Sequence, residues 1–320
     1  MAKIGTDTAA AAMLLAKGEL VAIPTETVYG LAANAFDPEA VTRIFQTKNR
    51  PSFNPLIVHS DTWEKLEPFL REIPPTARKL GEIFWPGPLT ILLPRNEIIP
   101  DLVTAGNDRV AVRIPRHPLT LELLAQLDFP LAAPSANPFG YISPTTSAHV
   151  QEQLGDKIPY ILEGGAAAVG VESTIVGYEA DGSWKLYRPG GVEAEALEGV
   201  LGPLSRFEGH TNAPTASGQL KSHYAPRTKV VFGPLKVNLQ KGLSPKKTGV
   251  LAFRQKRADI PAHQQIVLSA SGDMGEAARN LFSALRQLDA MGLDLIVAEA
   301  LPEKGLGRAI NDRLERAAAE

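Results

Sequence analysis

The chain has 320 residues, 44% of them hydrophobic, with 33 basic and 35 acidic side chains and a net charge of −2. That length suffices for a sizeable core and two domains, and the near-neutral balance gives the whole molecule no strong pull on nucleic acid, although a basic cleft can exist locally. Cysteine is absent, which excludes disulfide scaffolds, thiolate zinc sites and cysteine nucleophiles.

No long apolar run follows a basic start, and none reaches membrane-spanning length, so the expectation is a cytoplasmic protein with no membrane partner. Residues 8–16 read as a helix, helped by an alanine run. Leu20, Val21, Ala22 and Ile23 form an apolar run ending at Pro24, which predicts a strand over 20–24 and a turn in which Thr25 caps a helix. A helix is expected over 38–47, with Val41, Ile44 and Phe45 on its apolar face. Pro51 keeps Arg50 from continuing that helix, so Lys48 and Arg50 are expected where the chain turns outward. A planar guanidinium and a compact ammonium together suit a polyanion, and they equally suit the negative end of a helix.

Further along, strands are expected over 56–59, 90–94, 109–114, 131–133, 160–162 and 174–178, with helices over 61–70, 76–83, 119–127 and 146–154. Ser135 and Asn137 put a hydroxyl and a carboxamide directly after a strand, where open α/β sheets present ligand-binding groups. These elements predict one α/β domain over 1–203 with a twisted, mixed sheet. Over 204–227 the apolar periodicity lapses. That linker carries Lys221, His223 and Tyr224, more than a passive tether needs.

After the linker, strands are expected over 228–232, 249–253, 265–268 and 295–300. A helix over 274–291 has Ala277, Leu281, Leu285 and Leu288 on one side and an Asp273/Glu276 capping box, and a last helix covers 309–318. This is a smaller, doubly wound, Rossmann-like α/β domain over 228–320. Arg308, Arg313 and Arg316, interleaved with Asp312 and Glu315, read as a solvated helix face.

Five segments occur in order: Pro24-Thr25-Glu26-Thr27-Val28-Tyr29-Gly30-Leu31, the stretch from Lys48 to His59, Ala111-Val112-Arg113-Ile114-Pro115, Ala133-Pro134-Ser135-Ala136-Asn137, and Glu172-Ser173-Thr174-Ile175-Val176. Together they resemble the YrdC-like threonylcarbamoyl-AMP synthases over about the first 190 residues. Ser217-Gly218-Gln219-Leu220-Lys221-Ser222-His223-Tyr224-Ala225-Pro226 is similar to the linker of the long, two-domain form, although Ser217 stands where that form carries a proline.

The resemblance implies a nucleotidyltransferase that joins L-threonine, bicarbonate and ATP into threonylcarbamoyl-AMP and pyrophosphate. The product would pass to a threonylcarbamoyl-transferase complex modifying position 37 of tRNA. Such chemistry needs positioning and charge stabilisation rather than an enzyme nucleophile, in keeping with the lack of a Ser-His-Asp pattern. By motif match, Lys48, Arg50, Ser135 and Asn137 are catalytic, and Arg50, Asn54, Ser135, Ser143, Arg188 and Tyr224 bind ATP. Thr27, His59, Arg113 and Ser173 surround L-threonine, with Arg113 taking its carboxylate. Mg²⁺ is expected with the ATP, yet the sequence shows no compact carboxylate cluster to hold it. A hydrogenase-maturation protein sharing the module would need cysteine-rich zinc segments. A non-catalytic RNA-binding module and an ATP-sensing regulator remain open.

Overall fold

The computed structural model describes residues 1–207, 214–235 and 247–319. Short apolar runs in the first two-thirds of the chain pair into an eleven-stranded mixed sheet. Numbered along the chain and taken in spatial order, its strands are β1 (Lys3–Gly5), β8 (Tyr160–Leu162), β2 (Val21–Ile23), β3 (Gly30–Asn34), β7 (Leu131–Ala132), β4 (Ile57–His59), β6 (Arg109–Arg113), β5 (Leu89–Pro94), β9 (Thr174–Tyr178), β10 (Trp184–Arg188) and β11 (Ser205–Arg206). The central strands are buried along their whole length, as expected of a sheet covered on both faces. One face packs on Leu31, Val41, Ile44, Val58, Ile91 and Val112. Leu15, Ile23, Leu123 and Tyr160 form a separate cluster.

Helix starts follow their caps. Asp7 accepts from the Ala10 amide ahead of α1 (Thr8–Ala16), and Asp37 accepts from Glu39 and Ala40 ahead of α2 (Pro38–Lys48), whose proline occupies the first turn. Asn49 then adopts a left-handed conformation (φ 51°) that stops α2, a backbone state asparagine tolerates better than most residues.

Three expectations fail here. Thr25 caps no helix: its hydroxyl accepts from the Thr27 and Val28 amides and donates to the Val28 carbonyl, closing a turn that leads into β3, antiparallel to β2. Residues 61–70 form no helix, only a 3₁₀ turn at Glu67–Phe69, because Pro68 lacks the donor a longer helix would need. Lys48 and Arg50 do not face outward; both are buried. Strands β1, β3, β10 and β11 and the helices Asp101–Thr104 and Ala194–Leu201 were not expected. Strand β3, Gly-Leu-Ala-Ala-Asn, has residues of low strand propensity held by its neighbours.

A second, four-stranded sheet is all parallel in the order β12 (Lys229–Gly233), β15 (Leu295–Glu299), β13 (Thr248–Ala252), β14 (Gln265–Val267). Two helices join it, α8 (Met274–Asp289), capped by Asp273, and α9 (Leu306–Ala318). They bury Leu281, Phe282, Leu285, Ile310 and Leu314 in one cluster with Val230, Leu251 and Ile296. Part of the linker, 208–213, lies outside the described residues. No described helix is long and apolar enough to cross a membrane.

The arginines of α9 are not a solvated face. Arg313 is fully buried and Arg316 nearly so. Asp312 and Glu172 meet the Arg313 guanidinium, Asp312 also reaches Arg316, and only Arg308 pairs near the surface, with Glu195. The alternating charges serve an interface with the first domain, which a charge pattern read on one helix cannot distinguish from exposure.

Candidate active site

The ends of the central strands, the turn after β2 and the linker enclose one cavity. Its walls include Thr27, Arg50, His59, Arg113, Ser135, Ser173, Arg188 and Tyr224, eight of the twelve residues singled out from the sequence. Lys48, Asn54, Asn137 and Ser143 do not line it.

Parallel pairing of β4 with β6 sets His59 directly opposite Arg113. Arg113 is anchored on three sides: Nε donates to the Gly87 carbonyl at 3.2 Å, and Nη2 donates to Glu26 at 2.7 Å and to the Thr27 hydroxyl at 3.1 Å. Glu26 is itself held by the Arg116 amide at 2.9 Å. With Nη2 committed to Glu26, the donors that Arg113 offers a ligand are those of Nη1. His59 Nδ1 donates to the Ile57 carbonyl at 3.1 Å, and burial together with the Arg113 charge pulls its pKa down to about 3, so the ring is neutral at pH 7. On the next strand pair, the Ser173 and Thr90 hydroxyls share a 2.7 Å hydrogen bond.

The other half of the cavity holds cations. Arg50 Nε and Nη2 donate to the Asn54 and Pro55 carbonyls, which aim the guanidinium across the cavity, and Nη2 also reaches the Ser217 hydroxyl at 3.3 Å. Arg188 donates to the Ser173 carbonyl and, through Nη1, to the Ser217 carbonyl at 3.3 Å. Two arginines thus converge on one linker residue. Burial, reinforced by the Arg188 charge, draws the Arg50 guanidinium down to about 9 against an opposing contribution from Tyr224. His223, buried first and then facing the charges of Arg50, Lys48, Arg313 and Arg188, is held well below its ordinary value.

The residues outside the cavity shape its wall. The Lys48 ammonium donates to the Ser135 and Asn137 carbonyls, tying the end of α2 to the loop after β7. Burial, and then Arg50, depress its pKa strongly. Asn137 Nδ2 donates to the Pro138 and Tyr141 carbonyls, each at 2.8 Å, and its Oδ1 is buried without a partner. Ser143 donates to Glu172 at 2.5 Å. Asn54 is fully buried, and both of its amide atoms lack partners.

The free volume is about 50 Å³, against roughly 300–1,000 Å³ for ordinary ligand pockets. Ser217, Gly218, His223 and Tyr224 form one side of the wall, so the linker closes the site. Sequence reading singled out His223 and Tyr224 but gave Glu26, Glu172 and Ser217 no role. Glu26 and Glu172 lie inside quoted motifs, which was the available signal; Ser217 had none beyond its departure from the family linker. Among the described residues no group of three His, Asp or Glu side chains could hold a metal ion. Glu26 and Glu172, the carboxylates nearest the cavity wall, are each paired with an arginine.

Comparison with known proteins adds a second line of argument. A family model described as "Telomere recombination", covering the Sua5, YciO and YrdC proteins, matches residues 13–190. One described as "Threonylcarbamoyl-AMP synthase, C-terminal domain" matches residues 192–319. The threonylcarbamoyl-AMP synthase of Pyrococcus abyssi is 42% identical over 96% of this chain and 92% of its own length. That of Bacillus subtilis is 39% identical over 97% and 92%. The solved structure of P. abyssi Sua5 complexed with L-threonine superimposes with a TM-score of 0.89 at 42% identity, covering 97% of this chain and 94% of that one.

Proposed function

The chain belongs to the Sua5/YrdC family in its two-domain form, and from that premise we propose that it makes L-threonylcarbamoyl-AMP and pyrophosphate from L-threonine, bicarbonate and ATP. Relatives at 37–42% identity over nearly the full chain carry the name threonylcarbamoyl-AMP synthase, and a close structural neighbour binds L-threonine. The observation that carries the reading is one cavity with two unlike halves: a single anchored guanidinium, Arg113, faces two converging ones, Arg50 and Arg188. One carboxylate and one polyphosphate would satisfy them.

In this reading Arg113 Nη1 takes the threonine carboxylate, while Thr27 and Ser173 offer hydrogen bonds to its hydroxyl. A site that bonds a substrate hydroxyl rejects the analogue lacking it far more strongly than a pocket that only counts methyl groups. Neutral His59 borders the amino acid without adding charge. The threonine nitrogen attacks the bicarbonate carbon, forming a C–N bond as a C–O bond breaks and water leaves, to give a carbamate. A carbamate oxygen then attacks the α-phosphorus, forming one P–O bond as the bond to pyrophosphate breaks. Arg50, Arg188, Ser135 and Tyr224 hold the nucleotide, and Lys48, behind Ser135, opposes the negative charge that the leaving group gathers. Asn54, with its unpaired amide, is placed with the nucleotide group, and Asn137 fixes the loop that carries Ser135.

Magnesium is taken to arrive on the phosphates as part of the nucleotide substrate. The small free volume requires Ser217 to leave the two arginines before ATP enters, so the linker is proposed as a lid. Once closed again, it would shield a mixed anhydride from water. The product would go to a transferase complex acting on tRNA in the cytoplasm.

The test is pyrophosphate release from Mg·ATP with each amino acid in turn. Release that requires both bicarbonate and L-threonine and disappears in Lys48→Ala is expected. No release with any amino acid, together with RNA retained on a filter, would replace this reading by a binding module.

A further inference from the structure

The last helix of the chain carries a guanidinium to the wall of the first domain's cavity. Arg313 is fully buried. Its Nε donates to Glu172 at 2.7 Å, its Nη2 to the Pro189 carbonyl at 3.0 Å, and its guanidinium carbon lies 5.1 Å from the centre of the Tyr224 ring. Each of these three partners leads to a residue assigned above to the nucleotide. Glu172 accepts from Ser143 through its other oxygen at 2.5 Å. Pro189 directly follows Arg188. Tyr224 itself lines the cavity.

The rest of the second domain reinforces the same contacts. Phe282 of α8 stacks on Tyr224 with centroids 5.7 Å apart and an interplanar angle of 27°. Arg286 of α8 donates to the Ile142 carbonyl, next to Ser143, at 2.5 Å. The linker is pinned to α9 by its main chain: the Leu220 carbonyl accepts from Arg316 at 2.5 Å, and the His223 amide donates to the Arg316 carbonyl at 3.2 Å. Tyr224 sits at φ 64°, a left-handed state that a tyrosine keeps only where its surroundings over-determine it. Those surroundings include Arg313 and Phe282.

A buried carboxylate such as Glu172 is tolerable when paired and costly when its partner is removed. Its negative charge beside Arg188 also offsets part of the repulsion among the cavity's cations. The second domain therefore supplies more than a neighbouring surface.

We infer that Arg313 is a positioning residue for the nucleotide, through which the second domain sets Ser143, Arg188 and Tyr224 at the spacing a nucleoside triphosphate requires. The inference rests on the ATP assignment in the proposed function. The hydrogen bonds and ion pairs of Arg313 reach none of Thr27, His59, Arg113 and Ser173, and the amino-acid half is touched at one remove, where Arg188 donates to Ser173, so the larger effect falls on the nucleotide.

The experiment measures dissociation constants for Mg·ATP and for L-threonine by calorimetry on the full chain, with melting temperatures alongside. Arg313→Met is expected to weaken Mg·ATP at least tenfold and L-threonine less than twofold. Arg313→Lys keeps a charge opposite Glu172 but loses the donor to Pro189, and is expected to fall between. Arg308→Met, on the same helix but paired near the surface with Glu195, is expected to keep Mg·ATP binding within twofold. If Arg313→Met does not fold, Arg313→Lys and Glu172→Gln decide, each expected to weaken Mg·ATP at least threefold. Mg·ATP binding within twofold of wild type in the folded Arg313 variants, whatever their melting temperatures, would overturn the inference. Equal weakening of both ligands would do the same. Should wild type bind Mg·ATP yet release no pyrophosphate with L-threonine and bicarbonate, the synthase reading fails, and the Arg313 comparison still decides the inference.

Discussion

Arg113, Thr27, His59 and Ser173 are set by the central strands and the turn after β2, with His59 and Arg113 register partners and Arg113 tied down on three sides. Arg50 and Arg188 instead meet a linker residue, and Tyr224 rests on helices from the far end of the chain. One half of the cavity is thus built within the sheet, by strand pairing and by contacts between residues up to 87 positions apart. The other is completed by a linker residue up to 167 positions distant, and it is the half that the proposed lid opens. The difference matches the proposed order of needs: a small amino acid can use a fixed slot, whereas a triphosphate has to be admitted and then enclosed.

Variants can separate the two halves. The largest expected effect is Arg50→Ala, which removes charged hydrogen bonds worth about 1.5–3 kcal/mol each. Affinity for Mg·ATP should fall by roughly 10–150-fold with L-threonine affinity little changed; a threonine defect of equal size would dissolve the distinction.

Acid reports on the sheet-built half. The His59 pKa falls from its ordinary 6.5 to about 3 in the fold, so the unfolded chain binds the extra proton first as pH drops. The stabilisation is complete above 6.5 and is lost progressively as pH falls towards 3. At pH 5 the loss from this one group is about 2 kcal/mol by linkage. Urea unfolding at pH 7.5 and 5 should show it, and His59→Asn should show a shallower decline.

Arg113→Lys keeps the charge but loses the planar fork held by Gly87, Glu26 and Thr27. KM for L-threonine should rise about tenfold, the equivalent of one charged hydrogen bond, with KM for ATP unmoved. The smallest effect sharpens the comparison at the lid: Tyr224→Ala should raise KM for ATP and shorten the lifetime of the enzyme-held intermediate a few-fold, roughly the energy of one aromatic contact. If affinity, turnover and lifetime all stay the same, the linker is not a lid.

The same contrast explains what the sequence disclosed. Helix α1 was legible from its alanine run, and α8 from a cap and an apolar spacing that lie within a few residues of each other. The strands carrying His59 and Arg113 were legible because apolar runs end at polar motifs. Residues 61–70 misled because a plausible apolar spacing outweighed Pro68. Strand β3 was missed because alanine and glycine carry no strand signal and only its neighbours on the sheet define it. Arg313 was misjudged for a deeper reason. Its partners Glu172, Pro189 and Tyr224 lie 89 to 141 positions away, and nothing within α9 announces that its charged side faces another domain.

The most direct test of the central claim is mass spectrometry of the quenched reaction with isotopically labelled bicarbonate, ATP, magnesium and L-threonine. The account predicts a threonylcarbamoyl-AMP species carrying the label in one-to-one amount with pyrophosphate, absent when L-threonine is omitted. AMP and pyrophosphate formed without any labelled adduct, or a label incorporated without threonine, would contradict it.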